Sequence, residues 1–342
     1  MRSLIRLTLL SSIVLWGSVQ VHAAETKAAP YKVRWLLAHE PVGLFLRAAE
    51  HFAKEVEAKS KGQIDVEVLT LAQYAEKYNS GQVPTQREVV RMLQNGDVEM
   101  SQTYTTTLGM LNRDLYVLDL PFLFRDHQHA QKVLEGKVGE KLLAGMTRGR
   151  VQGLAFTYSG GYRIIPAKTA LAGVADLKGA KVRTSNSPVA QDTFLAVGAV
   201  PVPMELDEVG NAAKQGKIEG AESTYPRFYA MKQNEFSNVL NDTHHSLFLT
   251  SIVVGTGFWN KLPADLQKVV REVATSAARL ERKESIEDAR ITKEKCRKEG
   301  IKVVEWPKTE QEKFKTATEK VYKKYNADFF SENFVAQIQN TK

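Results

Sequence analysis

The stretch Phe45-Leu46-Arg47-Ala48-Ala49-Glu50-His51-Phe52-Ala53-Lys54-Glu55-Val56, closed by Gly62 and followed by Ile64-Asp65-Val66-Glu67-Val68, sets the architecture. Phe45, Ala48, Ala49, Phe52, Ala53 and Val56 fall at i, i+3, i+4, i+7, i+8 and i+11, one face of a helix. Gly62 is a C-terminal stop. Ile64, Val66 and Val68 then alternate with acids, the pattern of a half-buried strand. The same helix–glycine–strand grammar returns at Gly96-Asp97-Val98-Glu99-Met100, Gly149-Arg150-Val151, Gly216-Lys217-Ile218-Glu219 and Gly300-Ile301-Lys302-Val303-Val304. Repetition of this unit predicts an α/β protein with mixed, mostly parallel sheets.

Two of the units end alike. Gln94-Asn95-Gly96-Asp97-Val98-Glu99 leads to Ser101-Gln102-Thr103-Tyr104, and Lys214-Gln215-Gly216-Lys217-Ile218-Glu219 leads to Glu222-Ser223-Thr224-Tyr225. Ligands of open α/β sheets bind beyond the carboxyl ends of strands. Two similar lobes, each offering a strand end to one cleft, are therefore expected; chance likeness of two short glycine turns is the alternative.

Composition narrows the field. The chain has 342 residues, 43% hydrophobic and 25% charged, with one cysteine, Cys296. That excludes a disordered tail, a collagen-like repeat and a disulfide mini-protein. One cysteine cannot close a disulfide within the chain or build a thiolate zinc site. Residues 1–23 combine Arg2 and Arg6, an apolar run from Leu7 to Val19 and the ending Val21-His22-Ala23, the pattern of a cleaved secretory signal. Its removal leaves 319 of the 342 residues and lowers the net charge from +8 to +6. The expected compartment is the periplasm, and no later stretch is apolar enough to span a bilayer.

Pro263 to Glu299 reads as one long helix, about 55 Å at ~1.5 Å per residue, long enough to bridge two lobes. From Glu281 to Glu299 it carries seven basic and six acidic residues, interleaved, which is a solvated face. The positive surplus is thus dispersed, and nucleic acid is not an expected partner.

Motifs of phosphate loops, zinc proteases, nucleophile elbows and dinucleotide folds are absent. His127-Gln128-His129 reads as a surface pair without supporting metal ligands, and one of His244-His245 as structural. No metal or cofactor is expected. The candidate chemistry gathers at Asp176-Leu177-Lys178-Gly179-Ala180-Lys181-Val182-Arg183, a turn and a short strand ending in arginine. Thr184-Ser185-Asn186-Ser187-Pro188 follows, with Ser187 as N-cap and Pro188 at N1 of a helix that turns Phe194 and Leu195 inward and stops at Gly198. An arginine at a strand end beside a helix N-terminus suits a carboxylate, through two parallel charge-assisted hydrogen bonds. An arginine in an ordinary structural ion pair is the alternative.

With these residues in view, the chain resembles the solute-binding proteins of tripartite ATP-independent periplasmic (TRAP) transporters, the DctP-like family. Phe52-Ala53-Lys54-Glu55-Val56 with Ser60-Lys61-Gly62, Leu118-Asp119-Leu120-Pro121-Phe122, the Asp176–Arg183 motif, Gly198-Ala199-Val200-Pro201-Val202-Pro203-Met204 and Leu262-Pro263-Ala264-Asp265-Leu266-Gln267 are similar to family segments and stand in family order.

The resemblance implies a two-lobed periplasmic-binding-protein-like fold. One lobe would hold residues 24–160 and 249–288. The other would hold 161–248 and 289–342 with the C-terminal helices. It implies an organic acid enclosed between the lobes and delivered to the membrane subunits of a TRAP permease, a transient membrane-protein contact.

By the same resemblance, the carboxylate-binding arginine falls on Arg183, with Arg163 and Asn186 in support. Tyr104, His39 and the loop after it, Glu222, Ser223 and Tyr225 complete the expected site. The resemblance also shows a departure: many members carry Gln-Glu-Asn-Pro where this chain has Ala221-Glu222-Ser223-Thr224, so Ser223 replaces the usual amide. The stretch from Leu71 to Val83 is longer and more polar than the family's short turn. Two other roles remain open: a ligand-sensing partner of a membrane signalling protein, and a secreted hydrolase.

Overall fold

The structure is a computed structural model that describes residues 29–39, 42–326 and 328–342. The expected signal segment 1–23 and the first positions after His39 lie outside these residues. Among the described residues eleven strands form two sheets: β1 Tyr31–Leu37, β2 Ile64–Thr70, β3 Met100–Tyr104, β4 Val151–Tyr162, β5 Ile165–Ala167, β6 Lys181–Thr184, β7 Val200–Pro203, β8 Gly220–Ala221, β9 Val239–Asp242, β10 Leu247–Gly255 and β11 Lys302–Glu305. The first sheet has the order β2-β1-β3-β10-β4, the second β11-β9-β5-β8-β6-β7.

Every glycine unit read from the sequence precedes a strand, although Gly216 leads only to the two-residue β8. Both sheets are mixed. β1 pairs with β2 and β3 in parallel, and β6 with β7 and β8 likewise. β10 pairs antiparallel with β3 and β4, and β5 antiparallel with β8 and β9. These reversed strands are the ones through which the chain changes sheet: β4 runs directly into β5, and β9 into β10. A strand entering from the other lobe needs no crossover helix, so helix–glycine–strand grammar does not reveal its direction.

The sequence pattern explains the layers. On β1, Val33, Trp35 and Leu37 pack with Phe45, Ala49, Phe52 and Val56 of the helix Val42–Lys59, while Leu36 joins a second cluster. That is the period of two expected of a strand covered on both faces. Trp35 and Phe52 are fully buried with ring centroids 5.0 Å apart. Each such side chain contributes roughly 1.5–3 kcal/mol by leaving water.

The second sheet has its own cores, one built on Ile165, Val182, Phe194, Trp306 and Phe314. Leu195, expected to point inward beside Phe194, is 53% exposed; neighbours on a helix point about 100° apart, and only Phe194 meets the sheet. From Val321 onward the chain returns to the first sheet, where Val321, Tyr325, Phe330, Phe334 and Ile338 join its cluster. The polar stretch after Leu71 is a helix, Leu71–Tyr78, opened by a Thr70–Gln73 capping box.

The long helix spans Ala264–Lys298, 35 residues. Leu266, Val270, Val273, Ala274 and Ala277 lie in the first lobe's core, and Cys296 is buried in a cluster of the second. Between them it holds the end of β4. The carboxyl of Glu281 accepts from the Tyr158 N–H at 2.8 Å, and Ser285 Oγ from the Gly160 N–H at 2.8 Å. Gly160 has φ +88°, and a Cβ there would stand 2.3 Å from Thr224 Oγ1. Glycine is thus required twice over at the point where the chain leaves the first sheet.

Gly160→Ala should cost at least about 2 kcal/mol, whereas Gly179→Ala, also at positive φ but facing open space, should cost about 1 kcal/mol by denaturant unfolding. Burial pushes the Glu281 carboxyl well above the usual range. A raised folded pKa gives stability that is present below the unfolded value and lost as pH rises through the folded one. Glu281→Gln, which keeps the acceptor without the charge, should match the wild type near pH 4 and melt above it at pH 8; equal melting at both would contradict this.

Candidate ligand-binding cleft

The cleft opens where strand ends of the two lobes face each other. β3 ends at Tyr104, held by its neighbours on both sides: His39, at the end of β1, lies 3.7 Å away between ring centroids, and Phe248 of β10 stacks at 4.9 Å. The Tyr104 N–H also donates to His39 Nε2 at 3.4 Å. From the other lobe, β6 delivers Arg183. The Ser187 hydroxyl caps the helix Pro188–Ala196 through the Ala190 N–H, with Pro188 at N1, and that turn presents Ser185 and Asn186 beside the arginine.

Arg183 is 3% exposed. Its Nε and Nη2 donate to the Met204 carbonyl at 3.1 and 2.7 Å. That uses two of the five guanidinium donors and fixes the plane of the fork. Burial, with the like charge of Arg227 nearby, brings its pKa down to about 10, so it remains a cation at neutral pH. Among the described residues it has no carboxylate within ion-pair distance, and it lines an inner chamber of about 230 Å³ with Tyr104, Phe248, Ser185 and Asn186. A cation fixed by a neutral carbonyl at the wall of a small chamber is arranged to receive an anion.

Behind Phe248 stands a charge cluster that joins the two chain crossings. Arg163, between β4 and β5, is 2% exposed and lies 3.8 Å over the Phe248 ring centroid. Its Nη2 is 3.8 Å from Asp119 and its Nε 3.7 Å from Glu222. Glu222 also meets His245 Nε2 at 3.0 Å, and His245 Nδ1 meets Thr243 Oγ1 at 2.7 Å. Burial alone would raise Glu222, but Arg163 and His245 outweigh it and hold it at about 2. Asp119 goes the other way: burial pushes it up to about 6 against the pull of Arg163.

The expected site residues therefore divide. Arg183, Asn186 and Tyr104 line the inner chamber. His39 lines an outer compartment of about 860 Å³ that shares Gln86, Arg87, Asn186, Glu205 and Leu206 with the inner one. Arg163, Glu222 and Ser223 are buried and line neither. The Ser223 backbone bridges to Ile164, which ties it to the crossing. Tyr225 donates to Asp242 at 2.9 Å and faces the second lobe's interior.

The histidines are clarified as well. His129 is buried, accepting from the Arg125 N–H and meeting the Ile338 carbonyl, so His127 and His129 are not a surface pair. His245 is the structural member of its pair. Among the described residues no cluster of three His, Cys, Asp or Glu side chains is placed to hold a metal, and no helix is long and apolar enough to cross a membrane.

Residues without a local sequence signal also belong here. Arg87, at the start of the helix Gln86–Asn95, pairs across the cleft with Glu205 at 2.9 Å. Arg227 is buried over Phe248, 4.7 Å from the ring centroid. Phe248 was hidden in the apolar run of β10, and Glu205 and Arg227 carry no local motif.

Comparison with known proteins agrees with this architecture. The family profile described as bacterial extracellular solute-binding protein, family 7 (DctP), matches residues 40–328. The C4-dicarboxylate-binding periplasmic protein DctP of Rhodobacter capsulatus is 31% identical over 222 residues, 65% of this chain and 64% of the relative. The 2,3-diketo-L-gulonate-binding periplasmic protein YiaO of Escherichia coli is 26% identical over 257 residues, 75% of this chain and 76% of the relative. A TRAP periplasmic solute-binding protein of a Bradyrhizobium species, solved with galacturonate, superposes with a TM-score of 0.80 at 28% identity, over 91% of this chain and all (100%) of that one. The chain belongs to the DctP family of extracellular solute-binding proteins, the receptors of TRAP transporters.

Proposed function

We propose that this protein is a periplasmic receptor that captures a small organic acid between its lobes and hands it to a TRAP permease. The observation that carries the reading is the buried Arg183 guanidinium, held by a main-chain carbonyl and open to a chamber between the lobes. Its remaining donors suit one carboxylate in the bidentate mode. Tyr104 and Phe248 give that chamber aromatic walls, and Asn186 adds a polar edge. Relatives are named for C4-dicarboxylates and for 2,3-diketo-L-gulonate, and related structures hold uronates or succinate, all of them carboxylates. Arg163 acts from behind, by fixing Phe248 and neutralising Glu222. Enclosure by both lobes would favour a closed form through differential affinity for it.

A thermal-shift panel of carboxylates tests the reading. At a hundredfold excess over Kd a bound acid adds about 2.7 kcal/mol, which raises the melting temperature by several degrees. The rise should vanish in Arg183→Met, because losing one partner of a buried charged pair costs about 2–5 kcal/mol of binding. Arg183→Lys should also lose most of it, having no fork. The ligand-free Arg183→Met protein should melt no lower than the wild type, since it no longer buries a cation without a carboxylate. A full shift retained in Arg183→Met, or none with any carboxylate, would overturn the assignment.

A further inference from the structure

The wall between the two compartments is a bridge of charge. Glu205 precedes the short turn of helix Leu206–Glu208 and shares a capping box with it, its carboxylate accepting from the Glu208 N–H while its own N–H donates to Glu208 at 3.0 Å. The same carboxylate accepts from Asn186 Nδ2 at 2.9 Å and pairs with Arg87 from the opposite lobe at 2.9 Å. Glu205 is therefore fixed in place from three directions, and it faces the chamber that holds Arg183.

The charges lining the compartments can be summed. Among the described residues, the inner chamber has Arg183, Arg87 and Glu205 as its charged lining. Arg87 and Glu205 neutralise each other, so one positive charge is left. The outer compartment has Arg87 against Glu205, Asp207 and Glu208. Burial and the nearby Arg227 hold His39 well below its usual range, so it adds no cation. An anion seated on Arg183 therefore looks outward along an increasingly acidic route.

We infer that Glu205 is a specificity determinant: the Arg87–Glu205 bridge restricts this receptor to monocarboxylates, and rejects acids that carry a second carboxylate at the far end. This rests on the carboxylate reading of the cleft given above. A monocarboxylate with hydroxyl groups can donate to Glu205 and leave the bridge whole. A dicarboxylate has to place its second charge against Glu205 or break the bridge to reach Arg87, and like charges brought together at an interface cost several kcal/mol.

Calorimetry on the full mature protein separates the outcomes, with D-glucuronate and D-galacturonate heading a monocarboxylate panel and succinate and L-malate as dicarboxylates. The wild type should favour its best monocarboxylate over succinate by at least about thirtyfold. Glu205→Gln frees Arg87 and should bring succinate to within about threefold of that monocarboxylate. Arg87→Met removes the cation and leaves Glu205, so succinate should stay rejected.

Succinate bound by the wild type as tightly as the monocarboxylates would overturn this inference while leaving the carboxylate reading intact. The same response in Glu205→Gln and Arg87→Met would also overturn it, by making the bridge a mechanical latch and not a charge filter. Binding of neither class would remove the carboxylate reading and this inference together. Both side chains are half exposed, and a melt of each ligand-free variant confirms that it is folded.

Discussion

A guanidinium buried at a strand end and held, among the described residues, by a backbone carbonyl alone is a costly arrangement. Removing Arg183 from water lowers its preference for the charged form, and the Met204 carbonyl offers a dipole where a carboxylate would offer a full charge. Such a group persists when the rest of the structure holds it there and its missing partner arrives from outside. The surrounding features hold it there: the β6 strand places the residue, Met204 just past the end of β7 supplies the carbonyl, and the Ser187–Pro188 cap turns the following helix out of the way. The neighbouring acids are already engaged, Glu222 with Arg163 and His245, and Glu205 with Arg87.

The two lobes are connected at a few well-defined places. β4 passes into β5 and β9 into β10, and the long helix spans the same boundary. Each crossing is held by side chains of other elements: Glu281 and Ser285 on β4, Thr243 on Arg163, and the paired charges of Arg163, Asp119 and Glu222 between. The ordered crossings keep Tyr104 and Phe248 opposite Arg183, so the geometry of the chamber is a consequence of these crossings and not only of the residues that line it. Phe248 makes the link explicit, with one face toward Tyr104 and Arg163 over its ring.

Much of this was legible in the residues. The 3.6 and 2 periodicities identify the first helix and strand, positive-φ glycines mark the turns before strands, and Ser187-Pro188 marks a helix start. The Asp176–Arg183 segment pointed to Arg183 as a strand-end cation, which the structure places on the chamber wall. What could not be read is what depends on distant parts of the chain. The antiparallel direction of β5 and β10 follows from lobe changes, not from local pattern. Arg163 and Glu222 enter the expected site through the resemblance to family segments; that they face each other behind Phe248 is a matter of distant packing. Arg87 and Glu205 are 118 positions apart, and nothing in either local sequence announces their pairing.

In the proposed reading Arg183 is the carboxylate anchor. A crystal structure of the protein with its tightest-binding organic acid tests it most directly. The account predicts a carboxylate in the inner chamber with its oxygens about 2.7–2.9 Å from the Arg183 guanidinium nitrogens, while the Met204 carbonyl contact is retained. A carboxylate seated on Arg87 or in the outer compartment, with Arg183 left to the Met204 carbonyl alone, would contradict it.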